Sequence, residues 1–316
     1  ICMLKACSNL GLMDKGMEIY VEVAKKGFDK EVVVGSMLVD MYAKCGCLTE
    51  AQIIFDRIPD QNIILWNVLI TGYLECGYNE HVYQLFQKMQ IEGISSNAIT
   101  LICMLKTCAR LEDIGKCQEV HNDIVTKGLE TCLEVGSALV EMYSKNSCIE
   151  IAKEIFDKLP LRDVISWTSL LTGYAYLGEC EEVFLTFNQM RDAGQKAHML
   201  TLVSILNACS HAGLVKEGEK LFDEMRAKYY LIPTQEHYTC MIDLFGRAGC
   251  FDKLNVFLDT APYSENLPLL RSILGACRKW SNVKLGRWAF EQSVELDKKC
   301  AATYVSMGNI YMHELC

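Results

Sequence analysis

Residues 1–7 read ICMLKAC and residues 102–108 read ICMLKTC, so one heptapeptide recurs after 101 residues with a single change. The same offset relates Trp66 to Trp167, and a third, looser copy, VSILNAC, begins at Val203. A fixed internal period of this kind is the signature of a repeat protein. The chain is therefore predicted to be an array of related units.

The 101-residue period divides at turn signals into segments of 31, 35 and 35 residues. In the segment 63–97, Trp66, Ile70 and Tyr73 fall at i, i+4 and i+7 on one helical face, and a second apolar stripe follows the turn at Gly77. A single hairpin of this kind cannot bury its apolar face, so neighbouring hairpins must stack. The prediction is an all-α, right-handed α-solenoid superhelix of stacked helix-turn-helix repeats, with a groove lined by the first helix of each repeat.

The composition supports a packed core. Of the 316 residues, 51% are hydrophobic, which argues against disorder, and no apolar run approaches the ~18 residues of a membrane span. The net charge of −9 argues mildly against nucleic acid unless the basic residues are gathered on one surface. Of the 17 cysteines, Cys7, Cys108, Cys209 and Cys277 occupy one repeat position on apolar helical faces, which favours small buried thiols over a metal site. No C-x-x-C spacing occurs, which removes the commonest zinc-binding pattern.

Two repeat families form hairpins of this size. Trp66, Leu69 and Tyr73 overlap the tetratricopeptide signature, whose members usually bind protein, but Ile70 occupies the glycine position of that signature. The alternating segment lengths, with SMLVDMYAKCG and FDRIPDQN, resemble the pentatricopeptide repeat (PPR) family in its plant PLS subclass of long and short repeats. SILGACRKW and TYVSMGNIY resemble the C-terminal E motifs of RNA-editing factors in that subclass.

The resemblance covers essentially the whole chain and implies a class for each segment. It gives a partial long repeat (1–31), short repeats (32–62, 133–163, 235–266), P repeats (63–97, 164–198), long repeats (98–132, 199–234), an E1 motif (267–300) and a partial E2 motif (301–316). The family binds single-stranded organellar RNA, one base per repeat. The fifth and last residues of a repeat are expected to read the base edge, and the second residue to stack on the base.

Applied to this sequence, the resemblance implies base-reading pairs, each with a preferred base. Ser or Thr with Asn prefers adenine, Ser or Thr with Asp prefers guanine, and Asn with Asn prefers a pyrimidine, cytosine more than uracil. The pairs are Ser36/Asn62, Asn67/Asn97, Ser137/Asp163, Thr168/His198 and Thr239/Asn266, with Ile102/Cys132 and Val203/Thr234 as spacers. With Thr168/His198 left undecided, the chain is predicted to read 5′-A-Y-n-G-n-n-A-3′. Short polar residues at helix starts are also common caps, and that alternative stays open.

Two further residue sets belong to the same expectation. The base-sandwiching residues are predicted to be Val33, Ile64, Ile99, Ile165 and Leu200, whereas Glu134 and Glu236 break the aliphatic pattern. The thirteenth residue of a segment is often basic and is expected to meet phosphate, namely Lys44, Arg110, Lys145 and Arg247. Solvated charge at a helix C-terminus is the alternative for these cations.

The sequence carries no recognisable catalytic motif. A zinc deaminase needs His-x-Glu and Cys-x-x-Cys, and neither occurs, so this chain is expected not to be an enzyme and to need no cofactor, metal or small-molecule substrate. The resemblance implies a site-recognition factor for C-to-U RNA editing in a mitochondrion or chloroplast. Its E motifs would engage a DYW-type cytidine deaminase and accessory proteins, with no membrane partner. The alternatives are an RNA-binding factor in splicing, stability or ribosome function, and a tetratricopeptide-like protein-binding scaffold.

Overall fold

The structure is a computed structural model that describes residues 2–28, 31–260 and 267–314. Within these ranges it contains 19 α-helices and no β-strand. The helices fall into two compact units, Ile1–Leu161 and Arg162–Cys316. The all-α fold class predicted from the sequence is confirmed.

The first unit is built from five helical hairpins. In each hairpin an odd-numbered first helix packs against the even-numbered second helix that follows it. The helices are α1 (Cys2–Leu10), α2 (Met13–Lys25), α3 (Val32–Lys44), α4 (Leu48–Arg57), α5 (Ile63–Glu75), α6 (Asn79–Ile91), α7 (Ala98–Leu111), α8 (Ile114–Thr126), α9 (Leu133–Lys145) and α10 (Ile149–Lys158).

The second unit repeats the arrangement with four hairpins and one further helix. Here too the first helices carry odd numbers. The helices are α11 (Val164–Leu177), α12 (Cys180–Asp192), α13 (Met199–Ala212), α14 (Val215–Ala227), α15 (Gln235–Ala248), α16 (Phe251–Thr260), α17 (Leu267–Trp280), α18 (Val283–Leu296) and α19 (Ala301–Glu314). Among the described residues, no helix is both long enough and apolar enough to cross a membrane.

The first helices begin where the sequence segments begin. From α3 to α19, every odd-numbered helix starts at the first residue of a segment derived from the 101-residue period. The local cause is capping, since the side chains of Asn62, Asn97 and Asp163 each accept the backbone N–H of the third residue of the next helix. The assignment of the segments to long, short, P and E classes stays a prediction.

Packing between hairpins runs along the first helices. Within each unit every first helix contacts the first helix of the next hairpin, so the first helices form one continuous layer. The second helix of one hairpin also packs against the first helix of the next hairpin. For example, the ring of Phe55 on α4 meets the ring of Trp66 on α5 edge to face at 4.7 Å, and both side chains are buried.

Small residues set the spacing of this layer. A Cβ on Gly72 of α5 would overlap the methyl group of Ala43 on α3, and a Cβ on Gly246 of α15 would lie 2.6 Å from that of Ala276 on α17. A glycine on one first helix therefore faces an alanine on its neighbour, and the two backbones approach closely. This approach brings the N-terminal turns of successive first helices side by side.

We expect Gly72→Ala to lower the free energy of unfolding by about 1–3 kcal/mol, because the new methyl overpacks the α3–α5 contact. Thermal unfolding followed by circular dichroism at 222 nm measures the effect. Gly275→Ala on α17 is the matched control, since its Cβ meets nothing within 4 Å, and it should be neutral or stabilising. If the double variant Ala43→Gly/Gly72→Ala recovers none of the lost stability, the contact does not set the helix spacing.

Candidate nucleic-acid interface

The five predicted base-sandwiching side chains are all exposed. Each is the second residue of a first helix and has more than half of its surface open to solvent, from 52% to 62%; they are Val33, Ile64, Ile99, Ile165 and Leu200. Aliphatic side chains at the start of otherwise well-buried helices leave apolar surface that another molecule can cover. In each unit, exposed aliphatic side chains therefore recur at regular intervals along the layer of first helices.

One repeat of the first unit shows how these residues are arranged. A cavity of about 280 Å³ opens between α3, α5 and α7. Its wall includes the aliphatic residues Ile64 and Ile99, the amides of Asn67 and Asn97, and the cation Lys44 beside the carboxylates of Asp40 and Glu75. Members of all three predicted residue sets thus line a single pocket.

The predicted reading pair in this pocket, Asn67 and Asn97, is joined by hydrogen bonds. The Nδ2 of Asn67 donates to Oδ1 of Asn97 at 3.1 Å, although the two residues are 30 positions apart. The hydroxyl of Thr100, the third residue of α7, donates to Oδ1 of Asn67 at 2.6 Å and lies 3.1 Å from Oδ1 of Asn97. Asn97 is exposed, whereas Asn67 is only 7% exposed beneath this network.

The same network recurs in the second unit at an offset of 101 residues. The hydroxyls of Thr168 and Thr201 lie 2.8 Å apart, and the hydroxyl of Thr201 lies 2.6 Å from Nδ1 of His198. Thr168 is 3% exposed, and His198 is exposed at the rim. In the segments 63–97 and 164–198, therefore, the third residue of the next first helix bridges the fifth and last residues of the segment.

The remaining predicted fifth residues are placed differently. Ser36 and Thr239 are partly exposed, and each hydroxyl donates to a carbonyl four residues earlier in its own helix, Val32 at 2.6 Å and Gln235 at 3.0 Å. Ser137 on α9 is buried, at 2% exposed.

The described last residues that are predicted to read bases act as N-caps. Asn62 is exposed and caps α5 through the N–H of Leu65 at 3.1 Å, and Asp163 caps α11 through the N–H of Ser166 at 2.8 Å. The capping alternative thus accounts for last residues, but fifth residues lie inside helices and cap nothing. Asn266, the partner predicted for Thr239, lies outside the described residues.

The predicted phosphate-binding cations lie at the C-terminal ends of first helices, and each is already engaged. Three pair with a carboxylate four residues earlier, with distances of 3.0 Å for Lys44–Asp40, 2.7 Å for Lys145–Glu141 and 2.7 Å for Arg247–Asp243. The fourth, Arg110, donates to the carbonyl of Leu74 at the end of α5 at 2.7 Å. Because exposed i,i+4 pairs contribute little stability, a phosphate would displace these carboxylates at small cost.

A larger cavity of about 820 Å³ lies in the second unit between the ends of α13, α15 and α17. Its wall carries His211, Arg247, Arg278 and Lys279 beside the single carboxylate of Asp243. Positive charge is therefore gathered on the first-helix layer here although the chain as a whole carries −9. The net charge of the chain does not reveal this local excess of basic side chains.

Comparison with known protein families identifies the repeats. The model of the PPR repeat matches residues 2–28, 36–63, 165–195, 201–230 and 236–256, and a second model, of the PPR repeat family, matches 61–110. Together these matches cover more than half of the chain. The chain belongs to the pentatricopeptide repeat family.

Curated PPR proteins of Arabidopsis thaliana resemble the chain along almost its whole length. The chloroplastic protein CRR2 is 34% identical over 98% of this chain and 47% of its own length. A mitochondrial PPR protein is 32% identical over 98% of this chain and 56% of its own length. This PPR chain thus spans about half the length of the curated relatives it matches.

The fold is also shared with a solved PPR structure. Maize PPR10, crystallised in complex with an 18-nt psaJ RNA element, superposes with a TM-score of 0.78 at 15% sequence identity. The match covers 96% of this chain and 46% of PPR10. At this identity the likeness establishes the stacked-hairpin fold of the PPR chain.

The cysteines at one repeat position are buried thiols, as expected. Cys7, Cys108, Cys209 and Cys277 are all buried and free. Burial raises the pKa of Cys209 and that of Cys277 to about 12, so neither forms a thiolate near neutral pH. Among the described residues, no group of three or more His, Cys, Asp or Glu side chains is arranged to hold a metal ion.

Sequence reasoning missed the third residues of the first helices. Thr100, Thr201 and His237 form capping boxes with the residue that ends the preceding segment. The spacing of a short polar residue and a Thr or His three positions later, at a predicted helix start, was the available signal. It indicates a cap but not the contact with a residue about 33 positions earlier.

His237 occupies this third position behind Val203 and Thr234, the pair predicted to be a spacer. It is fully buried, with Nδ1 2.7 Å from the hydroxyl of Thr234 and Nε2 3.0 Å from the carbonyl oxygen of Met199. Burial lowers the pKa of His237, and the bond to Met199 and the charge of Glu236 offset this only in part. Since Val203 cannot form a hydrogen bond through its side chain, the histidine bonds to the backbone instead.

We expect the histidine ring signal of His237 to titrate below pH 6.5 in NMR. The unfolded chain takes up this proton near pH 6.5, whereas the folded chain resists it. Stability from this site is therefore complete above pH 6.5 and is lost as the pH falls towards the folded pKa. The melting temperature of the wild type should drop more between pH 7.5 and 5.5 than that of His237→Thr, in which the other five histidines are unchanged. A titration midpoint at or above 6.5 contradicts this account.

Proposed function

We propose that this PPR chain binds single-stranded RNA with one base per repeat and recognises a C-to-U editing site in an organellar transcript. The observation that carries the proposal is the pocket between α3, α5 and α7, whose wall combines Ile64 and Ile99 with Asn67, Asn97 and Lys44. An unpaired base has a flat face and a Watson–Crick edge, and its backbone carries a phosphate. Aliphatic side chains suit the face, amides suit the edge, and a lysine suits the phosphate.

The periodic spacing favours a single strand over a duplex. Exposed aliphatic residues recur at the second position of α3, α5, α7, α11 and α13, as separate steps in each unit. Splayed bases can occupy such steps one at a time, whereas stacked and paired bases cannot. The crystal structure of PPR10 in complex with an 18-nt RNA element supports RNA binding by this fold.

The identity of the reading pairs gives the proposed sequence 5′-A-Y-n-G-n-n-A-3′. Carboxylate oxygens only accept hydrogen bonds, so Asp163 favours a base that presents N–H groups, as guanine does. The amide of Asn62 both donates and accepts, which suits adenine beside the hydroxyl of Ser36. Ile102 and Val203 offer no hydrogen bond from their side chains, and their positions should tolerate any base.

Three observations support the editing role. Residues 267–316 resemble E1 and partial E2 motifs, the alternating segments resemble the PLS subclass, and similar Arabidopsis proteins are named chloroplastic or mitochondrial. The short repeat 235–266 would then lie four nucleotides upstream of the edited cytidine. A DYW-type cytidine deaminase, engaged through the E motifs with accessory proteins, would carry out the chemistry.

Sequencing of organellar transcripts from plants that lack the protein tests the editing role. We expect one or a few cytidines, each four nucleotides downstream of the final adenine of the motif, to remain unedited. Splicing and transcript abundance should be otherwise normal. Full editing together with a splicing or stability defect would instead identify an RNA-processing factor of another kind.

A gel-shift titration tests the base register. We expect the RNA 5′-A-Y-n-G-n-n-A-3′ to bind more tightly than a scrambled strand of the same composition. Replacing the final adenine, opposite Thr239, should weaken binding about 5- to 150-fold, because one base-edge contact is worth about 1–3 kcal/mol. Replacing the sixth base, opposite Val203, is the matched control and should change affinity less than about twofold. Equal losses at the two positions would contradict the register.

The salt dependence of binding tests the phosphate contacts. The triple variant Lys44→Gln/Lys145→Gln/Arg247→Gln should flatten the log–log slope of affinity against salt by roughly two units, since each single-strand phosphate contact contributes about −0.7. A triple variant on second helices, Lys15→Gln/Lys153→Gln/Lys220→Gln, removes the same charge from α2, α10 and α14. If both variants change the slope equally, the cations of the first helices are not special.

A further inference from the structure

We propose that Thr100 and Thr201 are positioning residues that decide which hydrogen-bonding groups a reading pair offers to a base. The inference rests on the proposed function and adds a specificity determinant that lies in the next repeat. Each threonine is the third residue of a first helix, and its hydroxyl bridges the fifth and last residues of the preceding segment. The orientation of the two reading side chains is therefore set by hydrogen bonds from the next repeat.

The amide orientation of Asn97 is fixed by the backbone. Its Oδ1 accepts the backbone N–H of Thr100 at 3.1 Å, and only an oxygen can occupy that position because a backbone N–H is always a donor. Oδ1 also accepts from Nδ2 of Asn67 at 3.1 Å. The Nδ2 of Asn97 consequently points away from the network and has no protein partner among the described residues.

The orientation of Asn67 follows from that of Asn97 and from Thr100. Because Oδ1 of Asn97 is an acceptor, Asn67 must turn its own Nδ2 towards it. Oδ1 of Asn67 then faces the Thr100 hydroxyl, which donates to it at 2.6 Å. That hydroxyl is itself oriented, since its oxygen accepts the backbone N–H of Asn97 at 3.3 Å.

The completed network leaves mainly donors for a base. The free groups are both hydrogens on Nδ2 of Asn97 and the second hydrogen on Nδ2 of Asn67. Cytosine presents two adjacent acceptors, N3 and O2, on its Watson–Crick edge, whereas uracil places an N3–H donor at the centre of that edge. Two fixed donors therefore favour cytosine, and a donor facing the uracil N3–H finds no partner.

The second copy shows that the bridge is a property of the repeat rather than of one site. Nδ1 of His198 accepts the backbone N–H of Thr201 at 3.3 Å, so the neutral ring carries its proton on Nε2. The hydroxyl of Thr201 reaches the same Nδ1, and that of Thr168 lies against it. Thr201 thus orients the exposed His198, which presents the N–H of its imidazole ring where Asn97 presents an amide NH₂.

Where the fifth residue is apolar, the bridge is missing. The segment 98–132 has Ile102 at its fifth position and is followed by Val135 at the third position of α9. Behind Val203 the third residue is His237, which bonds to the carbonyl of Met199. A bridging threonine thus follows the polar pairs of the segments 63–97 and 164–198 and is absent behind both spacers. It is also absent behind Ser36/Asn62 and Ser137/Asp163, where the third residues are Leu65 and Ser166, so the positioning role belongs to the segments 63–97 and 164–198 alone.

The test compares three substitutions in α7 of the full chain. Thr100→Val removes the bridging hydroxyl with little change of shape, and Thr100→Ser keeps a hydroxyl. Thr107→Val is the matched control, because Thr107 is equally buried in the same helix but donates only to the carbonyl of Cys103, at 2.8 Å. Each protein is titrated with RNAs that carry C or U at the second base of the motif.

We expect the wild type, Thr100→Ser and Thr107→Val to prefer C over U by about tenfold. In Thr100→Val, Oδ1 of Asn67 loses the hydroxyl that donates to it, so only the bond to Asn97 holds the amide against rotation, and the preference should fall below about twofold. The affinity for RNAs that differ at the spacer bases should stay equal in all four proteins. A tenfold preference that survives in Thr100→Val would overturn the proposal.

A measurement without RNA separates this proposal from the function on which it rests. In NMR spectra of the free protein, the side-chain NH₂ of Asn67 should give two well-separated, slowly exchanging signals in the wild type and Thr107→Val. In Thr100→Val these signals should broaden or merge. Unchanged signals overturn the positioning role, whereas altered signals in a protein that binds no RNA overturn only the proposed function.

Discussion

The close contact between successive first helices is the constraint on which the rest of the structure depends. A hairpin such as α5–α6 has apolar residues on more than one face and cannot bury them alone, so each first helix needs a neighbour on both sides. Gly72 against Ala43, and Gly246 against Ala276, let the helix backbones approach. Because this contact is periodic, equivalent residues of successive repeats come to the same surface at regular intervals.

That contact also explains why polar residues lie so deep between the helices. A buried amide or hydroxyl without a partner costs free energy, so Asn67 and Thr168 persist only because the next helix supplies hydrogen bonds. The partners are the N-cap and the third residue of that helix, which the capping requirement already makes polar. The capping of a helix thus also supplies the hydrogen bonds that hold Asn67 and Thr168 in place. In the proposed function, the same side chains would serve both stability and recognition.

Local signals in the sequence were enough to place the helices. The 101-residue period, the turn glycines and the polar caps give the residues at which the first helices begin, because each signal acts within one turn of helix. The exposure of Ile64 and Ile99 also followed from their place in the repeat. The pairing of Lys44 with Asp40 was within reach, since an acidic residue four positions earlier is a visible pattern.

What the sequence did not yield was the partner of each polar side chain across the repeat boundary. Asn67 was expected to face the groove openly, but Thr100 and Asn97 cover it. These contacts join Asn67 to residues 30 and 33 positions later in the chain. They depend on the relative displacement of α7 and α5 along the helix axis. Hydrophobic periodicity and capping rules do not specify that displacement, so only the packed structure shows it.

The central claim is that the layer of first helices reads one unpaired base per repeat, and selection from a random pool of single-stranded RNA tests it most directly. The wild type should enrich A, a pyrimidine, G and A at the first, second, fourth and seventh places of one seven-nucleotide motif. With Asn67→Thr, only the second place should change, from pyrimidine to adenine. No enrichment, or a motif that changes at several places at once, would contradict the account.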